Sequence, residues 1–255
     1  MRSILSRESN ALLSRLAHEK TLCAFDFDGT LAPIVEHPDQ AGMRDQTRRL
    51  LVRLAALYPC VILSGRTRAD LLGKLRGVDV EKVIGSHGAE SSGPKNKSAR
   101  PQVQRWKAAI ELELGPVPGL WVEDKGLSLA VHYRQAGSKA EVQRRIHKAV
   151  QNLERARVFG GKHVVNVVVD GDPDKGTALT AERDRLRCDW VLYVGDDDND
   201  EDAFAIGGNL VGVRVGRKLK THARYFLRSQ PEINLLLERM VDLREHRAAI
   251  RPISP

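Results

Sequence analysis

The sequence predicts an α/β fold in which a smaller unit interrupts a core built on a mostly parallel sheet. Three observations predict it. Short apolar runs alternate with amphipathic helical stretches, the rhythm of strands joined by helices. Two of those runs, TLCAFDF (21–27) and WVLYV (190–194), are buried-strand patterns that lead into acids. A polar stretch, SSGPKNKSARPQ (91–102), separates this rhythm from a segment of different texture, after which the first rhythm resumes.

Taken in order, 21–27 reads as a buried strand, and 45–57 as a helix with Leu50, Leu54 and Leu57 on one face. CVILS (60–64) is a second buried strand ended by Gly65, and the helix that follows stops at Gly77. VEKVIGSHGAE (80–90) supplies a third strand and a glycine turn. Beyond the linker, Val103, Trp106, Ile110 and Leu114 lie at helical spacing. Residues 121–134 form two strands joined at Asp124-Lys125-Gly126. Val142, Ile146, Ala149 and Leu153 mark a second amphipathic helix, and 157–170 a second hairpin, turning at Gly160-Gly161. Helix, hairpin, helix, hairpin predicts a small unit with helices on one face of an antiparallel sheet. Then come a helix from Thr177, the strand WVLYV, a helix at EDAFAI, the strand NLVGVRVG and a leucine-rich helix within 231–246. The expected units are 1–96 and 173–255 for the core and 97–172 for the insert.

Length and composition fit this plan. A chain of 255 residues, 42% hydrophobic and 29% charged, is long enough for one large domain or a core plus a smaller one. No apolar run approaches membrane length, and MRSILSRESN lacks the apolar stretch of a signal peptide. Cys23, Cys60 and Cys188 are few and scattered, which suits a reducing cytoplasm and offers neither a disulfide framework nor a zinc site. The formal charge of +8 raises the question of nucleic acid. The arginines are dispersed, however, and aromatics make up only 5% of the chain, so the expectation is no nucleic-acid or membrane partner and a monomer.

The chemistry concentrates at strand ends. Asp26 and Asp28 lie two apart where the first strand ends, and Gly29 follows, allowing a sharp turn. An Asp-Gly turn accounts for Asp28 and Gly29 but not for Asp26, an acid inside an apolar run, where burial is costly without a compensating charge. The cluster from Asp196 to Asp202 again follows a buried strand. Capping of the next helix accounts for its later acids, not for those at the strand end. If the two strands are neighbours, Asp26, Asp28 and Asp196 converge, and a hard cation such as Mg²⁺ resolves their repulsion. Ser64, with Gly65 after it, can offer a hydroxyl and N–H groups to a phosphate oxygen, and Lys175 suits a site that pairs acids with phosphate. Each of these two is weak alone.

Together DFDGTLAPI, SGR, DKG and GDDDNDEDAF resemble the four motifs of the haloacid-dehalogenase-like phosphatases, and the stretch from about Thr21 to about Arg228 is similar to the trehalose-6-phosphate phosphatases among them. The resemblance implies a Rossmann-like core with an inserted α/β cap. It implies Asp26 as nucleophile and Asp28 as general acid and base. Ser64 and Lys175 hold phosphate and nucleophile; Asp26, Asp28 (through its carbonyl) and Asp196 bind Mg²⁺. Asp197 and Asp200 support them, with Asp200 orienting water or Lys175. It implies that Glu123 and Lys125 of the insert grip sugar hydroxyls, although charges in a solvated hairpin turn would look the same. His87 and Gly88 lie at the core–cap junction, with Gly29, Gly65 and Arg66 near the phosphate. One departure is Asn166, where the family usually has Glu, which alters the expected sugar pocket. The implied activity is Mg²⁺-dependent hydrolysis of trehalose 6-phosphate through an aspartyl-phosphate. Alternatives are a phosphatase of another glycosyl phosphate, a phosphomutase, and a basic nucleic-acid-binding protein. A receiver domain is too short to match. An inverting glycosidase would leave Asp196 and Lys175 unused.

Overall fold

The structure is a computed structural model that describes residues 1–90 and 99–250. The first seven strands to consider make one sheet: β1 (Arg2–Ser3), β2 (Thr21–Phe25), β3 (Cys60–Leu63), β4 (Lys82–Ile84), β9 (Trp190–Gly195), β10 (Leu210–Val215) and β11 (Tyr225–Leu227). Their spatial order is β1-β11-β10-β9-β2-β3-β4, and every neighbouring pair is parallel. The remaining four, β5 (Trp121–Asp124), β6 (Ser128–His132), β7 (Ala156–Gly161) and β8 (Val164–Val169), form an antiparallel sheet in the order β5-β6-β8-β7.

The parallel sheet is covered on both faces, which is why its strands read as unbroken apolar runs rather than alternating ones. Along β2, Cys23 and Phe25 enter one hydrophobic cluster and Leu22 and Ala24 the other. Along β9, Leu192 and Val194 join the first and Val191 and Tyr193 the second. The first face is closed by α1 (Asn10–His18), α2 (Asp45–Leu57) and α8 (Ile233–Ile250). The second is closed by α6 (Lys175–Leu186) and the short α7 (Glu201–Phe204). α3 (Arg68–Lys74) follows β3, capped by the Thr67 side chain, which accepts from the Asp70 N–H.

The antiparallel sheet buries one face under α4 (Arg100–Leu114) and α5 (Lys139–Val150), where Val103, Trp106 and Ile110 meet Ile146, Leu129 and Val167. The helix face read from the sequence is therefore the packed one. Three expectations shift. The linker expected over 91–102 lies largely outside the described residues, and its last three residues already belong to α4, whose Pro101 occupies a first-turn position that needs no N–H donor. The second hairpin turns at Lys162-His163, not at Gly160-Gly161, which continue β7. The short strands β1, at the sheet's edge, and β11, beside it, lack any apolar run long enough to announce them. No helix among the described residues is long and apolar enough to cross a membrane.

Candidate active site

β2 and β9 are neighbours, so their carboxyl ends bring Asp26 and the loop beginning at Asp196 side by side. This is where open α/β sheets hold ligands. The Asp26 N–H donates to the Val194 carbonyl at 2.9 Å, which continues the ladder one residue past β2 and fixes the Asp26 side chain over the sheet's end. The chain then turns through Gly29, whose φ is +83°. A Cβ there would lie 2.1 Å from Asp196 Oδ2, so only glycine lets the two loops approach.

Lys175, the first residue of α6, is 1% exposed and lies between two carboxylates. Its Nζ donates to Asp26 Oδ1 at 2.8 Å and to Asp200 Oδ1 at 2.6 Å. Asp200 is fully engaged. Its Oδ1 also accepts from the Tyr193 hydroxyl at 2.6 Å, and its Oδ2 accepts the Asp196 and Asp197 N–H groups at 2.8 and 2.9 Å. It thus shapes the loop and anchors Lys175. Burial works against a charge on Lys175, but the two carboxylates outweigh it and hold its pKa above the ordinary lysine value. Burial pushes Asp26 well up, opposed by Lys175 and reinforced by Asp200 and Asp196. Asp196 is likewise pushed up, to about 7, by burial first.

Two cations, Lys175 and Lys162, face the three buried carboxylates of Asp26, Asp196 and Asp200, which leaves this cluster short of positive charge. Ligand atoms of Asp26, Asp196 and Asp200 lie within 4.8 Å of one another. With Asp200 committed elsewhere, Asp26 and Asp196 each keep one carboxylate oxygen without a hydrogen bond among the described residues. Two hard oxygen donors facing a deficit of charge fit a divalent cation of the Mg²⁺ kind. Here the Lys162 ammonium, from the β7–β8 turn, meets Asp196 Oδ2 instead.

Asp28 departs from the expected convergence of side chains. Its carboxylate turns away from Asp26 and Asp196 to a two-pronged pair with Arg66, Nε to Oδ2 at 2.6 Å and Nη2 to Oδ1 at 2.8 Å. The extended geometry that would align Asp26 with Asp28 ends with β2, and the third carboxylate of the cluster is Asp200. Arg66 is held in turn by Asp70 and the Pro38 carbonyl. Ser64, buried at the end of β3, lies behind Gly65, and its Oγ accepts the Arg66 N–H at 3.3 Å.

A cleft of about 510 Å³ lies between this site and the antiparallel sheet, with Asp26, Asp28, Asp196 and Asp197 on its floor side. On the roof, Glu123 and Lys125 point in together, their charges 3.6 Å apart, and Lys125 Nζ donates to the Gly65 carbonyl at 2.9 Å. Asn166 and His87 also line it. His87 is buried at a positive φ of 58°, and neither ring nitrogen finds a hydrogen-bond partner among the described residues. Burial first, then the Lys125 and Lys175 charges, depress its pKa well below 6.5. Gly88, beside it, is packed so that a Cβ would sit 2.4 Å from the Asp174 carbonyl oxygen. Sequence reasoning missed four participants: Tyr193, Lys162, His132, which bonds Glu123 at 2.8 Å, and Arg134, which ties the Val35 and Lys162 carbonyls together. The only signal was position, since Tyr193 lies three residues before Asp196 and Lys162 follows two glycines.

The family model described as Trehalose-phosphatase matches residues 24–230. A trehalose-phosphate phosphatase of Mycobacterium tuberculosis is 37% identical over 199 residues, covering 72% of this chain and 50% of the relative. A probable trehalose-phosphate phosphatase of Oryza sativa is 31% identical, covering 90% of this chain and 72% of the relative. The chain thus spans about half the length of the mycobacterial proteins it matches. Among solved structures, the C-terminal domain of a Candida albicans trehalose-6-phosphate phosphatase superposes with a TM-score of 0.79 at 23% identity, covering 92% of this chain and 97% of that one. Fold and sequence similarity converge, and the chain belongs to the trehalose-phosphatase family.

Proposed function

We propose that the chain hydrolyses a sugar phosphate monoester, with trehalose 6-phosphate as substrate, through an acyl phosphate formed on Asp26. The observation that carries this reading is the buried Lys175 bridging Asp26 and Asp200 beneath an acid-lined cleft. In this reading Lys175 holds the Asp26 carboxylate still and charged, so that its oxygen attacks phosphorus in line with the departing sugar oxygen. The P–O bond to the sugar breaks as the new P–O bond to Asp26 forms. Asp28 gives its proton to the leaving oxygen, then takes one from the water that cleaves the acyl phosphate. For that, Arg66 must exchange its grip on Asp28 for the incoming phosphate, a move its fork of donors suits. Asp26, Asp196 and the Asp28 carbonyl would hold a Mg²⁺ ion, whose positive charge would offset the repulsion between phosphate and carboxylates. Ser64 and the Gly65 backbone complete the phosphate cradle. Glu123, Lys125, His87 and Asn166 face the sugar, with residues 97–172 as the cap and the surrounding segments as the core.

Phosphate release across a panel of sugar phosphates tests the reading. Trehalose 6-phosphate should be turned over fastest, and Asp26→Asn should lower that rate by at least about a thousandfold with the melting temperature maintained. Turnover by the variant at the parent rate would remove Asp26 as nucleophile.

A further inference from the structure

The cleft extends past the charged pair to an aromatic residue for which the chemistry so far has no use. On β5, side chains alternate, so Trp121 and Glu123 share the cleft-facing side while Val122 packs toward the cap's helices. Trp121 is 44% exposed. Its indole stacks on His132, its cross-strand partner, with ring centroids 4.0 Å apart and planes 11° from parallel. His132 is itself fixed by Glu123 at 2.8 Å. One indole face is thereby covered and the ring held, while the residue remains on the cleft wall. Exposed apolar side chains scattered singly are ordinary. This one belongs to a continuous file, Trp121, Glu123, Lys125, that starts in open solvent and ends at the phosphate-side Gly65 carbonyl. The four residue steps from Trp121 to Lys125 span up to ~13 Å, more than one sugar ring needs and enough for two.

We propose that Trp121 is a specificity-determining residue: its free face stacks against the apolar C–H face of a second sugar ring, so the site selects a glycosylated sugar monophosphate over a monosaccharide phosphate. This rests on the sugar-phosphatase reading and extends it from the charged pair to the far ring. Covering roughly 50 Å² of apolar surface corresponds to about a tenfold difference in binding.

The test compares parent, Trp121→Ala and Trp121→Phe on trehalose 6-phosphate and glucose 6-phosphate, alongside fluorescence titration with trehalose. Trp121→Ala should raise KM for the disaccharide ester about tenfold, leave its kcat within about twofold, and leave glucose 6-phosphate unchanged. Trp121→Phe should recover most of the loss, and trehalose should change the parent's tryptophan emission but not that of Trp121→Phe. Equal losses on both esters, or no loss on the disaccharide ester, would overturn the assignment. If the parent cleaves neither ester, the phosphatase reading fails by itself. The titration then decides: a saturable change that depends on Trp121 upholds the ring platform, and none removes it.

Discussion

At the scale of single residues, the site is organised by what burial does to charge. Asp26 was legible because a carboxylate inside an apolar run demands compensation, and Lys175 provides it at 2.8 Å. Asp28 sits at the same spacing, yet only the structure reveals that its carboxylate pairs with Arg66, since a two-residue rule fails once the strand ends. His87 carries the clearest pH consequence. Its folded pKa lies well below the ordinary 6.5, so the folded protein keeps it neutral where the unfolded chain takes up a proton. Above 6.5 both states are neutral and nothing changes. As pH falls below that value the unfolded state gains, by up to about 1.4 kcal/mol one unit lower, until the folded pKa is reached. His87→Asn, whose side chain tolerates positive φ, should lose less melting temperature than the parent between about pH 7 and about pH 5.5. Parallel acid curves for the two proteins would mean that His87 is reached by solvent protons in the folded state.

Among the elements, α4 shows how a stripe of apolar residues becomes a fold. Trp106 is 2% exposed against the small sheet, and its indole N–H donates to the Glu154 carbonyl at 3.1 Å. Trp106→Ala should cost about 3–5 kcal/mol in denaturant unfolding of the antiparallel unit, whereas Leu112→Ala, at an 87% exposed position of the same helix, should be nearly neutral. Comparable losses at the two positions would contradict the assigned face. The periodicity that identifies α4 is strong because every fourth residue carries the burial. The second hairpin was less legible, for a physical reason: two adjacent glycines signal a turn, but Gly161 is needed in the strand itself. A Cβ there would lie 2.8 Å from Asp197 Oδ2, so the glycine serves close approach to the acid loop rather than chain reversal. The role of Trp121 was invisible for a different reason, because nothing in a sequence distinguishes an exposed ring in a cleft wall from one on an open surface.

At the scale of the whole molecule, the antiparallel unit meets the parallel core largely through cations reaching acids and carbonyls. Lys125 reaches Gly65, Arg134 reaches Val35, Arg157 reaches Asp202 at 2.9 Å, and the Lys162 ammonium reaches Asp196 while its backbone N–H donates to Asp197. Such contacts weaken with ionic strength, since screening shortens to about 3 Å at 1 M salt. Small-angle scattering should therefore show a larger radius of gyration in high salt, and Arg134→Ala with Arg157→Ala should reach the expanded form at lower salt. An unchanged radius in both would mean that apolar contacts hold the halves together. The two-part plan was readable from the change of texture near residue 91, but this seam was not, because its partners lie as much as 99 positions apart in the chain.

That seam has an evolutionary consequence. Each half closes its own oily interior, and the border between them is polar, so side chains on the roof can drift without disturbing the strands that position Asp26 and Asp196. Under the proposed function, that freedom lets the sugar-facing roof diverge at little cost in stability, with Asn166 one position where it would act.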